Sequence, residues 1–147
     1  MNNVLQWIPR RSLLATALFF TLTACGGDSS TEDLPGAGSW RVINYWAVWC
    51  TPCRQEIPEL NAIHKKPGVT VLGVNFDNRQ GDDLASDIED LGIEFVVLRE
   101  DPAPLLGTAR PSVLPTTFIV DPNGELRRTL VGPQTEADLD AAIAGTP

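Results

Sequence analysis

Two cysteines separated by two residues, Cys50 and Cys53, constrain this chain more than any other feature of its sequence. They follow an apolar run over residues 42–47 that predicts a buried strand, and they precede apolar residues at helical spacing. At such a junction a thiol faces the unpaired N–H groups and the positive dipole end of the helix, which favour its thiolate. The spacing therefore predicts thiol–disulfide exchange.

The same spacing also occurs in zinc sites and in structural disulfides. A tetrahedral zinc site needs four ligands, but no second Cys pair follows and the one histidine is His64. A disulfide across two residues closes a loop too short to stabilise a fold appreciably. We favour exchange chemistry over both alternatives, with no bound metal and no other cofactor.

The first 24 residues predict a signal for export. Residues 1–11 end in a basic pair, and residues 12–22 are almost wholly apolar, about half the length of a membrane-spanning helix. The segment closes with Leu22-Thr23-Ala24-Cys25, which resembles the lipobox of bacterial lipoproteins and implies cleavage before Cys25 and acylation of its sulfur. The alternatives are an ordinary signal peptide, or Cys25 as a third redox thiol.

The remaining chain divides into a tether and one domain. Residues 25–38 are small, polar and rich in glycine, which predicts a flexible tether that buries no core. Residues 39–147 have the length of one ordinary domain. The whole chain has a formal net charge of −8, and an acidic surface repels nucleic acid and anionic lipid. We therefore expect neither as a partner.

Apolar periodicity predicts the order β-α-β-α-β followed by β-β-α. Strands are predicted over residues 41–47, 69–76, 93–98, 117–120 and 125–131, and helices over 53–65 and 82–91, with a last helix capped by Thr135 and ending at Ala144. The first half implies parallel strands joined by crossover helices, and the final hairpin adds an antiparallel edge.

Two blocks of this pattern resemble thioredoxin-fold proteins, and more closely the TlpA/ResA-like branch of secreted thiol–disulfide oxidoreductases. They are residues 42–60, around the Cys pair, and residues 114–124, from Leu114-Pro115-Thr116-Thr117 to the Asp121-Pro122-Asn123-Gly124 turn. The likeness covers residues 40–144. It implies an α/β, thioredoxin-like fold with a central mixed β-sheet flanked by helices.

The resemblance also implies which residues carry the chemistry. Cys50 is expected to be the exposed, acidic thiol that attacks a client disulfide, and Cys53, more buried, resolves the mixed disulfide. The Leu114–Pro115 bond is expected to be cis, so that the main chain beside the sulfurs pairs with an extended client segment. The residues expected to shape the site are Trp49, Thr51, Pro52, Leu114 and Pro115.

The sequence leaves the proton acceptor for Cys53 open. Thioredoxin proper has a buried Asp where this chain has Asn44, whose amide cannot titrate. The candidates for a proton relay are Asp77 and Glu56. Glu56 lies early in a predicted helix and is more typical of a solvated helix acid, and Asp77 fits a strand-end loop as well as a relay.

Together these features predict a lipid-anchored reductase that faces the periplasm or the cell exterior of a bacterium. Its partners are client proteins with disulfides, with apocytochrome c as the client that the resemblance suggests, and a membrane thiol–disulfide protein as electron donor. The alternatives are a disulfide oxidase or isomerase, and a non-catalytic copper- or metal-binding module. Peroxidase activity is disfavoured because the Pro-x-x-x-Thr-x-x-Cys motif is missing.

Overall fold

The computed structural model describes residues 30–145, so the predicted signal segment and Cys25 lie outside the described residues. The described elements follow the predicted order. The strands are β1 Trp40–Trp46, β2 Val69–Asn75, β3 Val96–Leu98, β4 Thr116–Val120 and β5 Leu126–Val131, and the helices are α1 Thr51–His64, α2 Gly81–Leu91 and α3 Glu136–Ala144. In this part of the chain no helix has the length and apolar character needed to cross a bilayer.

Two element boundaries differ by more than one residue from those that the sequence predicts. Strand β3 covers three residues because pairing with β2 begins only at Val96, opposite Leu72. Ile93 and Phe95, expected in that strand, are instead buried in the core. Helix α1 begins at Thr51, two residues earlier than predicted, because Cys50 occupies the position that caps it.

The five strands form one mixed sheet in the order β3-β2-β1-β4-β5. Strand β1 is parallel to β2, which is parallel to β3, whereas β4 and β5 are antiparallel to their neighbours. The predicted α/β architecture with a mixed sheet is confirmed. Because β1 is central and leads directly into α1, the Cys pair lies at the carboxyl end of the middle strand, where ligands of α/β sheets bind.

The sheet buries a hydrophobic cluster on each face, since alternate residues of β1 point in opposite directions. On one face Val42 and Trp46 pack with residues of the three helices, among them Ile57, Leu84 and Leu139. On the other face lies a smaller cluster of Ile43, Tyr45, Leu72, Val74, Ala103, Phe118 and Val120. Within residues 30–145 this second cluster is covered by irregular segments and contains no helical residue.

Part of the predicted tether lies against the domain. Residues 30–38, expected to bury nothing, include a 3-10 turn at Thr31–Asp33. The Thr31 carbonyl accepts a hydrogen bond from the buried guanidinium of Arg41, and Leu34 packs against the second cluster. The expectation of a free tether is therefore wrong for these residues, because a buried arginine and an uncovered apolar sheet face both require partners.

Candidate active site

Cys50 and Cys53 form a disulfide at the N-terminus of α1, with their Cα atoms 5.3 Å apart. Cys50 is the N-cap residue, and its sulfur accepts a hydrogen bond of 3.3 Å from the Cys53 N–H. Thr51 and Pro52 fill the first two helical positions, where a proline costs no helical hydrogen bond. The sulfur of Cys50 thus lies at the positive end of the helix dipole, which stabilises a thiolate there.

The expected exposure of Cys50 is wrong in this disulfide-bonded state. The residue is 4% exposed, and Cys53 is 0% exposed. The reason is that the capping sulfur turns toward the helix and is bonded to a cysteine on its inner face, and both residues belong to the first core cluster. The expected order of burial is observed, since Cys53 is the more buried of the two.

The Leu114–Pro115 peptide bond is cis, as the resemblance implies. Pro115 is buried, and Leu114 is half-buried and packs against the core cluster that contains both cysteines. The Pro115 carbonyl accepts a hydrogen bond of 2.9 Å from the Gly132 N–H, and the Thr116 hydroxyl donates one of 2.8 Å to the Val113 carbonyl. The bend before β4 is thereby held from both sides.

Trp49 is an exposed aromatic side chain next to the disulfide. It is 64% exposed, whereas Trp46, on the same stretch, is fully buried. The Trp49 Nε1 donates a hydrogen bond of 2.9 Å to Asp77 Oδ2, and its indole meets the Phe76 ring edge to face with centroids 6.4 Å apart. Asp77 is itself exposed and lies two residues after the end of β2. From this position its carboxylate holds the Trp49 indole.

Glu56 is buried, and the solvated helix acid that we favoured from the sequence is wrong. Only 2% of the residue is exposed, because it lies on the inner face of α1 with Cys53 and Ile57. Its Oε2 accepts a hydrogen bond of 3.0 Å from the Gln134 N–H. Burial raises the pKa of Glu56 to about 7, although hydrogen bonds from Gln134 and Asn44 act in the opposite direction.

Asn44 connects this carboxyl group to the sheet. In the ladder between β1 and β4 it faces Thr117, and its Nδ2 donates to the Thr117 hydroxyl at 3.0 Å and to Glu56 Oε1. The sequence singled out Asn44 as a group that cannot titrate, but it carried no signal for the roles of Thr117 and Gln134. Together they hold the carboxyl group of Glu56 in place within one turn of Cys53.

Arg110 and Asp101 are further residues near the site that the sequence did not indicate. The Arg110 guanidinium lies over the Phe76 ring, with Cζ 4.6 Å from the centroid, and its Nε lies 3.1 Å from Asp101 Oδ2. Asp101 Oδ1 also accepts a hydrogen bond of 2.6 Å from the Tyr45 hydroxyl. Burial, and to a lesser extent the hydrogen bond to Asp101, raises the pKa of Tyr45, so its hydroxyl remains protonated.

Within residues 30–145, no group of three or more His, Cys, Asp or Glu side chains is arranged to hold a metal ion. His64 is half-buried against the sheet. Its Nδ1 accepts a hydrogen bond of 3.1 Å from the Val71 N–H, and its ring packs edge to face with that of Phe95. The chemistry that the described geometry supports is that of the disulfide, the buried carboxyl group and the exposed indole.

Comparison with known families decides the class of this site. A model of the AhpC/TSA family matches residues 15–129, well over half of the chain. The chain belongs to the AhpC/TSA family. Like the sheet, the cis-proline and the Cys pair described above, this match supports the thioredoxin-type resemblance found in the sequence.

Individual relatives narrow the class of this AhpC/TSA family member. The thiol–disulfide oxidoreductase ResA of Geobacillus kaustophilus is 33% identical over 130 residues, which are 86% of this chain and 73% of that protein. A solved thiol:disulfide interchange protein of the thioredoxin family from Chlorobium tepidum is 28% identical, with a TM-score of 0.59 and coverage of 76% and 81% of the two chains. A secreted thiol–disulfide isomerase from Corynebacterium glutamicum is 32% identical, with a TM-score of 0.60 and coverage of 73% and 70%. These likenesses identify the chain as a thiol–disulfide oxidoreductase with a thioredoxin-like fold.

Proposed function

We propose that this oxidoreductase is an exported reductase in which Cys50 attacks client disulfides and Cys53 resolves the product. The observation that carries the proposal is the position of Cys50 as the N-cap of α1, where helix N–H groups stabilise its thiolate. Cys53, bonded to it and fully buried, is in place to attack a mixed disulfide from the protein side.

The reaction is two successive exchanges. In the reduced protein the Cys50 thiolate attacks one sulfur of the client disulfide, forms a mixed disulfide and releases the other client sulfur as a thiolate. The Cys53 thiol then loses its proton to Glu56 and attacks Cys50, which frees the second client thiol and leaves the Cys50–Cys53 disulfide. Two electrons have passed to the client, and a membrane thiol–disulfide protein returns two by the reverse exchange.

Client contact is assigned to the surface around Cys50. The main chain of Leu114, beside the cis bond, is the group that an extended client segment would pair with. Trp49 offers an exposed aromatic face one residue before Cys50, and Thr51 and Pro52 form the first turn of α1 directly after it. We propose apocytochrome c, with its Cys-x-x-Cys-His haem site, as client; the resemblance to the TlpA/ResA branch supports this choice.

We also propose that residues 1–24 are an export signal and that Cys25 carries the lipid. Because Thr31 and Leu34 contact the domain, and because the chain from Cys25 to Ser30 can span at most about 18 Å, the lipid-bearing residue would lie near the domain. The domain would therefore stay close to the membrane that holds the lipid, within reach of a membrane electron donor.

Substitution of Cys25 tests the anchor. We expect Cys25→Ser to release the protein from membranes, because acyl chains on the sulfur supply the attachment. The measurement is the division of the protein between membrane and soluble fractions after export. A matched Ser29→Ala variant, altered in the same linker, should remain with the membranes; Cys25→Ser protein that also remains there would remove the lipoprotein assignment.

A disulfide isomerase or oxidase is the second candidate, favoured by the likeness to the secreted thiol–disulfide isomerase. The thiol state in living cells separates the candidates, because a reductase is kept reduced by its donor and an oxidant is kept oxidised. We expect alkylation with a maleimide polymer to shift most of the protein by the mass of two labels at Cys50 and Cys53. A population that is mostly unlabelled at both positions would support the oxidase instead.

A further inference from the structure

Arg110, in the irregular segment between β3 and β4, holds Phe76 in two ways. Its Cζ lies 4.6 Å from the centroid of the Phe76 ring, within the range in which a guanidinium is attracted to an aromatic face. Its Nη2 donates a hydrogen bond of 2.6 Å to the Phe76 carbonyl. One side chain therefore fixes both the ring and the main chain of Phe76.

Phe76 in turn supports Trp49. The two rings meet edge to face at 85°, with centroids 6.4 Å apart. The Phe76 N–H donates a hydrogen bond of 2.8 Å to the carbonyl of Trp46, the last residue of β1, so the residue after β2 is tied to the strand end that precedes Trp49. With Asp77 bonded to its Nε1, Trp49 is held on two sides and still 64% exposed. An exposed aromatic group held in this way is preorganised for contact.

The other side of the Arg110 guanidinium is anchored to the central strand. Arg110 forms an ion pair with Asp101, and the Asp101 carboxylate also accepts a hydrogen bond from the hydroxyl of Tyr45 in β1. Arg110 also precedes Pro115 by five residues in the same segment. It therefore ties the segment that carries the cis bond to the turn that carries Trp49.

We propose that Arg110 is a positioning residue that fixes the client-contact surface of this enzyme by holding Phe76 against Trp49. The inference rests on the proposed function, since it assigns Arg110 to the surface where the client binds. Among the described residues, Arg110 contacts Phe76 and Asp101, so it acts on client binding through Trp49 and takes no part in sulfur chemistry.

Single-turnover reduction of a peptide measures this role. Pre-reduced protein is mixed with excess disulfide-bonded Cys-x-x-Cys-His peptide, and the rate is recorded against peptide concentration. We expect Arg110→Gln to raise the half-saturating concentration by about fivefold and to change the limiting rate by less than twofold, since cation–π and hydrogen-bond contacts of this kind contribute modestly. Arg99→Gln removes the same charge from an exposed position in the same segment and should change neither value.

A double-variant cycle separates positioning from general destabilisation. If Arg110 acts through Trp49, adding Arg110→Gln to Trp49→Ala raises the half-saturating concentration no further than Trp49→Ala alone. Additive effects would overturn the proposal. Arg110→Lys, which keeps a cation over Phe76, should recover part of the loss, and no recovery would also count against it.

Acrylamide quenching of tryptophan fluorescence provides a readout that needs no client. Loss of the Phe76 support should make the Trp49 indole more accessible, so we expect Arg110→Gln to raise the quenching constant by about a third or more, and Arg99→Gln to leave it unchanged. The increase should vanish in a Trp49→Ala background. Unchanged quenching overturns the inference, whereas failure of the unaltered protein to reduce the peptide would overturn the proposed function alone.

Discussion

Replacing Cys50 by serine lowers the rate of client disulfide reduction by about a thousandfold or more, the size of loss that removal of a nucleophile causes. The physical reason is that a serine hydroxyl remains protonated and is a poor nucleophile, whereas the helix N-terminus at this position favours the thiolate form of a cysteine. The measurement is single-turnover reduction of the disulfide-bonded Cys-x-x-Cys-His peptide by pre-reduced protein.

Cys53→Ser is the matched variant, since it alters the other sulfur of the same pair. It should still attack the client but fail to resolve, so that a mixed disulfide through Cys50 accumulates and is visible on a non-reducing gel. The result that would contradict the assignment is the reverse pattern, with trapped clients in Cys50→Ser protein. We expect Cys50 to be the sulfur that attacks the client, because Cys53 is fully buried whereas Cys50 retains slight exposure.

Replacing Glu56 by glutamine slows reduction of the Cys50–Cys53 disulfide by about a hundredfold at pH 6, a typical effect of losing a general acid. When a small thiol attacks Cys50, Cys53 leaves as a thiolate and needs a proton. With a pKa of about 7, Glu56 is protonated at pH 6 and can supply that proton. Above pH 7 it is ionised, so the rate constant per attacking thiolate should fall as pH rises.

The measurement is the rate of reduction by dithiothreitol between pH 5 and 9, corrected for the thiolate fraction of the reagent. The unaltered protein should show a bend near pH 7, and Glu56→Gln should show none and approach the unaltered rate at high pH. Asp77→Asn is the control, because it replaces the other candidate acid while keeping an oxygen for the Trp49 indole. A bend that survives in Glu56→Gln but is lost in Asp77→Asn would transfer the role to Asp77.

Glu56 shows why the site could be predicted only in part from the sequence. From the sequence, Glu56 is one acid in the first turns of a helix, and such acids are usually solvated. Its burial depends on Gln134, which is 78 residues away along the chain, and on Asn44 in a neighbouring strand. No local pattern reports contacts of that range, and the raised pKa follows from them and from the loss of water.

The order of the elements and the turn that joins β4 to β5 follow from the amino-acid sequence alone. Both depend on interactions between residues a few positions apart, which appear as apolar periodicity and as the Asp121-Pro122-Asn123-Gly124 turn. The resemblance added the cis bond before Pro115, which the structure contains.

The exposure of each sulfur, the position of the Glu56 carboxyl group and the residues that hold Trp49 became known only from the folded structure. Cys50 was expected in solvent and is 4% exposed, because packing of the surrounding core sets the exposure of a helix cap. Arg110 donates a hydrogen bond to Phe76, which is 34 positions away along the chain. Burial and long-range contacts arise only when the whole chain folds, whereas a sequence pattern shows only the spacing of residues that are near one another along the chain.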